Sequence, residues 1–465
     1  MKISKFIPAA IVALLSLLFI SLFYRISLHC TSYFDLGIYS DALNRINWHD
    51  LNPFIPGRNI RILNDHFDPI LIPFSFFTRL INAPTLGILI EFIALIACWF
   101  PLRELREAGK INDRTALFCY AFILLNHSTI DAVQSPFHPT TWAVLPMVGL
   151  FSHFILGNFK KTVFWMIVLF CCREEFPLIG PPMAAVMAFD TKRRKKSVLI
   201  LTISMAWISF VFYVRPKLFD GYFENYGRTL LKGFIENPST AFSHNFSLPS
   251  IRFFLERTLP LLLVIDYTQL KRNRLIIFGF LFITAPILLV RFASFHWGFH
   301  YGTAAVISIL FALITTIGTK IPNWRWALSI VFLLGTFISE PIKVFTSNHP
   351  RCSNSASRLS EIEKAQKWIA NSGKAKILLE NNLASTQFFK SPIEQKIYML
   401  CSPSGISIPS YDVVLVEKPE FGDAWPCGFQ HLEKLINQWK TNPNIKVLTD
   451  NEYIFLAEGI IKETP

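Results

Sequence analysis

The sequence predicts a polytopic α-helical membrane protein that carries a small C-terminal α/β extracytoplasmic domain. Apolar residues make up 52% of the 465 residues and charged residues only 17%, and the mean hydropathy is +0.39. Several apolar runs approach the about 20 residues that a helix needs to cross a bilayer. These runs stop near residue 340. We therefore divide the chain into a membrane domain, residues 1–340, and a soluble domain, residues 341–465.

The distribution of charge excludes one class of partner. The net charge of the whole chain is +13, yet residues 341–465 carry 14 basic and 13 acidic residues. A nucleic-acid-binding protein would instead concentrate its positive charge on a soluble module. The excess of basic residues therefore belongs to the loops of the membrane domain, and we expect a membrane partner and no nucleic acid.

The first apolar run covers residues 6–24 and follows Lys2 and Lys5. It is longer than the apolar region of a typical signal peptide, and no small-residue cleavage site precedes the next polar stretch. We therefore expect a retained first membrane helix that begins on the cytoplasmic side.

The later apolar segments alternate with basic and uncharged loops. The loops that we place inside hold 18 Lys and Arg residues, whereas the short outer loops 132–139 and 292–300 hold none. Because cytoplasmic loops carry the excess of Lys and Arg, this bias places the N-terminus in the cytoplasm and the C-terminal domain outside. The segments are 84–101, 115–131, 140–157, 162–189, 197–213, 258–270, 275–291, 301–318 and 326–340.

One of these segments, residues 162–189, is interrupted by Arg173, Glu174 and Glu175. Charges exposed to hydrocarbon are costly, so we expect a broken helix whose charged turn lines a polar cavity. Arg173 is then either part of a buried ion pair that joins two half-helices or a phosphate contact, whose geometry a guanidinium group matches.

Two stretches before the second crossing are expected to lie outside the hydrocarbon. Residues 25–68 are too polar to span the bilayer, but their apolar residues recur at near-helical intervals, which predicts a folded outer loop. Residues 69–81 are expected to form an amphipathic helix along the outer interface.

The C-terminal domain alternates helical and strand-like patterns. No glycine-rich phosphate-binding loop follows any strand, so we expect a docking or acceptor-recognition module. An oxidising outer compartment permits a disulfide, and we expect it between Cys401 and Cys427, although spacing alone does not fix the connectivity. The predicted helices are 357–371 and 430–440, and the predicted strands are 376–379, 396–400, 412–417 and 453–457.

Acidic, histidine and arginine side chains recur at the outer ends of the predicted membrane segments. Their common depth predicts one outward-facing polar cavity. The candidate residues are Asp35, Tyr39, Asp65, His66, Asp68, His138, Arg173, Glu174, Glu175, His296, His300 and Tyr301.

Two groups of acidic candidates each admit two interpretations. Asp35 follows the first crossing among apolar neighbours, where a dry setting would raise its pKa and suit it to act as a general base. Its alternative role is the N-cap of a helix that starts at Leu36. Asp65, His66 and Asp68 offer mixed oxygen and nitrogen donors, so a divalent metal is the alternative to a catalytic role.

The remaining candidates are aromatic or imidazole side chains. His138 lies in a short proline-flanked turn and is either a substrate contact or an exposed loop histidine. His300 and Tyr301 open the crossing at 301–318, where they are either substrate contacts or interfacial anchors.

Taken together, these motifs resemble the predicted-membrane-protein family called domain of unknown function 2079. The resemblance covers most of the chain, and that family in turn resembles, more distantly, the GT-C glycosyltransferases, such as the lipid-A aminoarabinose transferase and the protein O-mannosyltransferases. The motifs that carry it are Phe34-Asp-Leu-Gly-Ile-Tyr39, Asp65-His-Phe-Asp-Pro-Ile70, Phe137-His-Pro139, Arg173-Glu-Glu175, His300-Tyr301 and Tyr411-Asp-Val-Val-Leu415.

The resemblance implies a GT-C-like bundle and an enzyme of the bacterial inner membrane. Such an enzyme moves a sugar from a polyprenyl-phosphate donor to a membrane lipid or glycan acceptor. The resemblance implies that Asp35 is the base and that Arg173 contacts the lipid phosphate. Many GT-C members have an Asp–Glu pair where this chain has Asp35–Leu36. Two other functional classes stay open: a transporter or flippase of a lipid-linked or anionic solute, and a non-catalytic membrane scaffold.

Overall fold

The structure is a computed structural model of the chain, and it is mostly helical with one sheet near the C-terminus. This much of the architecture is as the sequence predicts. The structure describes residues 6–31, 33–58, 60–135, 137–218, 239, 243, 246–294, 299–318, 321–346, 355–389, 394–401, 410–422 and 427–462.

Up to residue 346, the described residues form helices and one short antiparallel strand pair. That pair is β1 (Phe54–Ile55) and β2 (Ile60–Arg61). The helices are α1 (Phe6–Ser27), α2 (Tyr33–Arg45), α3 (Ile62–Asp65), α4 (Leu71–Ser75), α5 (Ala83–Ala97), α6 (Trp99–Glu107), α7 (Asp113–Leu125), α8 (His127–Gln134), α9 (Pro139–Trp142), α10 (Val144–Leu156), α11 (Phe159–Phe170), α12 (Gly180–Ala188), α13 (Arg194–Ser209), α14 (Arg215–Leu218), α15 (Leu248–Leu263), α16 (Tyr267–Arg272), α17 (Arg274–Ser294), α18 (Phe299–Leu313) and α19 (Asn323–Thr346).

Several of these helices are suited to a bilayer. Their outer faces expose large apolar side chains, such as Ile20 at 60% and Val198 at 62%, which are stable in contact with lipid rather than water. The protein is therefore an integral membrane protein. Within the described residues, five continuous helical stretches are long and apolar enough to cross a membrane: Ala9–Ser27, Ala83–Glu107, Asp113–Gln134, Pro139–Leu156 and Thr191–Leu218.

The predicted crossing at residues 258–270 differs from the structure. The helix starts ten residues earlier, at Leu248, because the side chain of Ser247 caps it by accepting a hydrogen bond from the Ser250 amide. It ends at Leu263, and Asp266 then caps the separate helix α16. The predicted amphipathic helix at 69–81 is likewise divided, into α4 and a 3₁₀ turn at Phe76–Arg79.

The charged turn between α11 and α12 lies where the sequence places a break. Helix α11 ends at Phe170, residues 171–175 form turns, and a short 3₁₀ helix, Phe176–Ile179, leads into α12. Gly180 allows the close approach of α13, because a Cβ atom there would meet the Ser204 side chain at 1.7 Å. The turn is thus fixed within the helical packing.

The C-terminal α/β region contains a five-stranded sheet of order β4-β3-β5-β7-β6. Strands β3, β4 and β5 are parallel, and β7 pairs antiparallel with both β5 and β6. The disulfide expected between Cys401 and Cys427 is present. The elements are α20 (Ala356–Asn371), β3 (Lys376–Leu379), α21 (Asn381–Gln387), β4 (Lys396–Met399), β5 (Tyr411–Glu417), α22 (Phe429–Thr441), β6 (Ile445–Asp450) and β7 (Ile454–Ile461).

Candidate functional site

Helix α2 supplies two candidate residues, Asp35 and Tyr39, which lie one turn apart and therefore on the same face of the helix. The helix begins at Tyr33, so Asp35 lies within its first turn and is not the N-cap residue. Tyr39 is buried, and its hydroxyl donates a hydrogen bond to Oδ2 of Asp68 at 3.1 Å.

His138 joins this pair from the turn before α9. Its Nε2 atom lies 3.0 Å from the Tyr39 hydroxyl oxygen, and its Nδ1 atom accepts a hydrogen bond from the Thr140 amide at 3.2 Å. Because Nδ1 is an acceptor, the proton of the neutral ring lies on Nε2. Protons are thus donated in one direction, from His138 to Tyr39 and from Tyr39 to Asp68.

Arg173 lies between two histidines. Its Nη2 atom donates to Nε2 of His66 at 3.0 Å, whereas Nη1 lies 3.0 Å from Nε2 and 3.3 Å from Nδ1 of His138. Nearly equal distances to both nitrogens place Nη1 over the His138 ring. The guanidinium group is buried, and its closest approach to the Glu174 carboxylate is 4.0 Å. Arg173 is thus held by imidazole groups more closely than by the neighbouring carboxylate.

His66 and Glu174 connect this arginine to the loop after α3. Nδ1 of His66 donates to Oε1 of Glu174 at 2.9 Å, since Nε2 accepts from Arg173. The other oxygen of Glu174 accepts a hydrogen bond from the Phe67 amide at 3.0 Å. Asp65 lies beside this group and is bound by Nε and Nη2 of Arg58, both at 3.1 Å.

The carboxyl groups of Asp35 and Asp68 differ from ordinary surface carboxylates. Burial raises the pKa of Asp35 to about 7, although the positive charge of Arg173 opposes this effect. Burial also raises the pKa of the Asp68 carboxyl, against the opposing effect of His66. A carboxyl group with a pKa near 7 exists in both protonation states at neutral pH, which suits it to accept and return a proton.

A family model described as Predicted membrane protein (DUF2079) matches residues 25–441 of the chain. The chain belongs to this family. The DUF2079 match includes all of these candidates and extends into the C-terminal sheet region as far as the end of α22, so that β6 and β7 lie beyond it. No curated protein matches the chain.

The structure adds a residue to the DUF2079 site that the sequence analysis missed. Glu91 lies in α5, is fully buried, and its Oε1 atom accepts a hydrogen bond from the His138 amide at 2.9 Å. One turn earlier, Gly87 leaves room for the Phe137 ring, because a Cβ atom there would lie 2.4 Å from it. Helix α5 thus positions the turn that carries His138. The sequence did contain a signal for this residue. Glu91 is a single carboxylate within an apolar helix, and placing such a group in a membrane costs free energy.

Arg58 and Arg215 were also missed. Arg58 binds Asp65, as described above, and Arg215 is buried with its guanidinium carbon 5.5 Å from the centre of the Phe67 ring. Nη2 of Arg215 lies 3.5 Å from the Asp65 carbonyl oxygen. Their places in the site depend on contacts between residues far apart in sequence, because Arg215 begins α14 and contacts Phe67 and the Asp65 carbonyl group.

The structure bears on some of the alternatives left open by the sequence. His138 is buried, so it is not an exposed loop histidine. Among the residues that the structure describes, no group of three or more His, Cys, Asp and Glu side chains is placed to hold a metal ion. His296 and the side chains of His300 and Tyr301 lie outside the described residues; the backbone of the latter two belongs to the first turn of α18.

Replacing Tyr39 by Phe is expected to destabilise the protein. The change leaves Oδ2 of Asp68 and Nε2–H of His138 without the hydroxyl that connects them, and both groups are buried. We expect a loss of about 1–3 kcal/mol in the free energy of unfolding, seen as a lower midpoint of thermal unfolding in detergent. Tyr213→Phe is the control, since Tyr213 is 70% exposed. Equal midpoints for the two variants would contradict a stabilising role of the Tyr39 hydroxyl between Asp68 and His138.

Proposed function

We propose that the protein is an integral-membrane glycosyltransferase with a GT-C-like bundle. It moves a sugar from a polyprenyl-phosphate donor to an acceptor on the outer face of the membrane. The observation that carries this proposal is the buried network in which Arg173, His66 and His138 are joined and lie near the carboxyl group of Asp35. The proposed reaction needs a base to accept a proton and a cation to offset the charge of a phosphate, and Asp35 and Arg173 would supply these two groups.

In the proposed reaction the acceptor hydroxyl oxygen attacks the anomeric carbon of the donor sugar. The new bond forms as the bond from that carbon to the phosphate oxygen breaks, and the lipid leaves as its phosphate. Asp35 takes the proton of the acceptor hydroxyl, and Arg173 offsets the negative charge that develops on the leaving phosphate. No protein nucleophile takes part, so the configuration at the anomeric carbon is inverted.

The other candidates would position substrates around these two groups. His66 and His138 hold the Arg173 guanidinium, and Tyr39 and Asp68 keep His138 in one tautomer. Asp65, Glu174, Glu175, His300 and Tyr301 are proposed to line the substrate cavity. Arg173 presents a planar guanidinium group beside these side chains, which supports its proposed role as the phosphate contact.

The proposed topology has the N-terminus in the cytoplasm, membrane domain 1–340, and domain 341–465 outside. Two observations support it. Cys401 and Cys427 form a disulfide, which persists in oxidising compartments. The C-terminal region also contacts the loop that directly follows α1, so both lie on the same side of the membrane. The resemblance to enzymes of the bacterial inner membrane favours that location.

The transfer rate is expected to rise with pH around neutrality. Asp35 must be deprotonated to act as a base, and burial raises its pKa to about 7. The rate per enzyme molecule should therefore increase tenfold per pH unit well below 7 and level off above it. The measurement is the initial rate of transfer between pH 5 and 9 at saturating donor. A rate that falls as pH rises through 7 would contradict the assignment of Asp35 as the base.

The test of the proposed function is sugar transfer by the purified protein in lipid nanodiscs. A panel of radiolabelled polyprenyl-phosphate sugars is supplied with membrane acceptors from the same cell. Labelled acceptor is the expected product. A second candidate is a transporter or flippase, which the charged turn within the broken helix α11–α12 favours. Donor binding without transfer, together with movement of donor between leaflets, would replace our proposal by that one.

A further inference from the structure

The C-terminal sheet contains a crevice of the kind that binds ligands in other α/β proteins. Strand β3 lies between β4 and β5, and the three strands are parallel. The connection after β3 leads to β4 on one side, whereas the connection after β5 leads to β6 on the other side. Ligands of open α/β sheets bind at the carboxyl ends of neighbouring strands whose connections diverge in this way. Here the carboxyl ends of β3 and β5 carry Glu380 and Glu417, both fully or almost fully buried.

A loop of the membrane region lies in this crevice. Nδ2 of Asn382 donates to the His29 carbonyl oxygen at 2.8 Å and to Oε2 of Glu417 at 2.9 Å. Arg358 binds both carboxylate oxygens of Glu417, at 2.6 and 3.0 Å, and its Nη1 atom donates to the Leu28 carbonyl oxygen at 3.3 Å. Side chains of the crevice therefore donate hydrogen bonds to main-chain carbonyl groups of a segment that lies more than 300 residues away in sequence.

Helix α21 holds the same loop with its side chains. Oγ1 of Thr386 lies 2.7 Å from Nδ1 of His29, and the Ser385 hydroxyl donates to the Thr31 carbonyl oxygen at 2.8 Å. All seven residues of α21 are buried, although most are polar. His29 has φ +56°, a left-handed conformation that is uncommon for residues other than glycine.

The loop 28–31 leads directly into α2, which carries Asp35 and Tyr39. The other end of α2 is held as well, because Nη2 of Arg45 donates to the Gln395 carbonyl oxygen at 3.1 Å, just before β4. We propose that the C-terminal α/β region is a clamp: its ligand crevice holds the loop 28–31 and thereby fixes the position of α2. Ser385 and Thr386 are positioning residues for Asp35, and this catalytic consequence alone rests on the proposed function.

The docked loop is tested first by a cysteine pair at Thr31 and Ser385, whose hydroxyl oxygens are 3.0 Å apart. We expect the variant Thr31→Cys with Ser385→Cys to form a disulfide in the membrane, detected as a crosslinked peptide by mass spectrometry. The pair Thr31→Cys with Ser360→Cys is the control, since Ser360 is exposed on α20. Absence of the Thr31–Ser385 crosslink in folded protein after mild oxidation would overturn the clamp.

The effect on α2 is tested by hydrogen exchange of the full-length protein. The variant Ser385→Ala with Thr386→Val should speed amide exchange in residues 33–45 about tenfold, since it removes two side-chain contacts to the loop. Exchange in β3 and β5 should stay unchanged, which separates a loosened clamp from general unfolding. The control is Ser360→Ala with Thr441→Val, both exposed residues of the same region. Unchanged exchange in α2, or equally faster exchange throughout the sheet, would overturn the proposal.

The two proposals can fail separately. Exchange and crosslinking need no substrate, so they report on the clamp even if no sugar is transferred. If the wild-type protein does transfer sugar, the Ser385→Ala, Thr386→Val variant should lower kcat with little change in KM, because α2 is displaced rather than the donor site removed. An unchanged kcat with faster exchange of α2 would overturn the positioning role.

Discussion

Replacing Asp35 by Asn is expected to lower the rate of sugar transfer by about 10²–10⁴-fold, the range over which a positioned general base contributes. Asn keeps the size of the side chain but cannot accept the proton of the acceptor hydroxyl. The site around it should persist, because Tyr39, Asp68 and His138 form their hydrogen bonds without Asp35. The donor should therefore still bind with similar affinity.

This expectation is checked by comparing kcat and donor affinity for the wild-type protein, Asp35→Asn and a control, Asp50→Asn. Asp50 lies in the same loop region but is partly exposed, and its carboxylate pairs with Arg61. The control should keep its rate, since exposed ion pairs contribute little. If Asp35→Asn transfers sugar at the wild-type rate, Asp35 is not the base.

Replacing Arg173 by Lys is expected to have the next largest effect, a loss of about 10²–10³-fold in kcat/KM for the donor. A guanidinium group reaches both His66 and His138 from one side chain. An ammonium group is a single point of charge and cannot make the same planar contacts. Lysine thus preserves the charge but misplaces it relative to the leaving phosphate.

The control for Arg173 is Arg252→Lys, because the Arg252 side chain is 82% exposed and pairs with Glu256 on its own helix. Thermal unfolding of both variants separates a catalytic loss from a folding defect. If Arg173→Lys unfolds like the wild type and transfers sugar at the wild-type rate, the proposed phosphate contact is wrong.

The membrane region was the most predictable part of the fold. Hydropathy depends on local composition, and the apolar runs located most of the long helices as well as the break at Arg173. The segment 258–270 was misplaced because helix α15 begins in the polar residues after Ser247. A capping residue outside the apolar run decided that boundary, and hydropathy does not detect caps.

The C-terminal region shows where local pattern fails. Helix α21 has the sequence Asn-Asn-Leu-Ala-Ser-Thr-Gln, which favours an exposed loop, yet all of it is buried against the loop 28–31 and α20. Strand β6 lies at the edge of the sheet and is mostly exposed, so its apolar signal is weak. Both elements depend on contacts between residues far apart in sequence.

The sequence indicated which motifs lie close together better than it indicated which side chains contact each other. Motifs at five places in the sequence were expected to converge, and the structure brings residues from four of them into contact: Tyr39, His66, Asp68, His138 and Arg173. The side chains of the fifth place, residues 296–301, lie outside the described residues. The sequence could not show that Arg173 contacts the side chains of two histidines. That arrangement depends on the relative placement of α2, α9 and the turn after α11.

The most direct test of the central claim is to follow both products of the proposed reaction in one experiment. Purified protein in nanodiscs receives a polyprenyl-phosphate sugar labelled in the sugar and, separately, in the phosphate. Our account predicts that glycosylated acceptor and free polyprenyl phosphate appear in equal amounts with wild-type protein, and that both form about 10²–10⁴-fold more slowly with Asp35→Asn. Equal product formation by the two proteins, or none by the wild type across the donor panel, would contradict it.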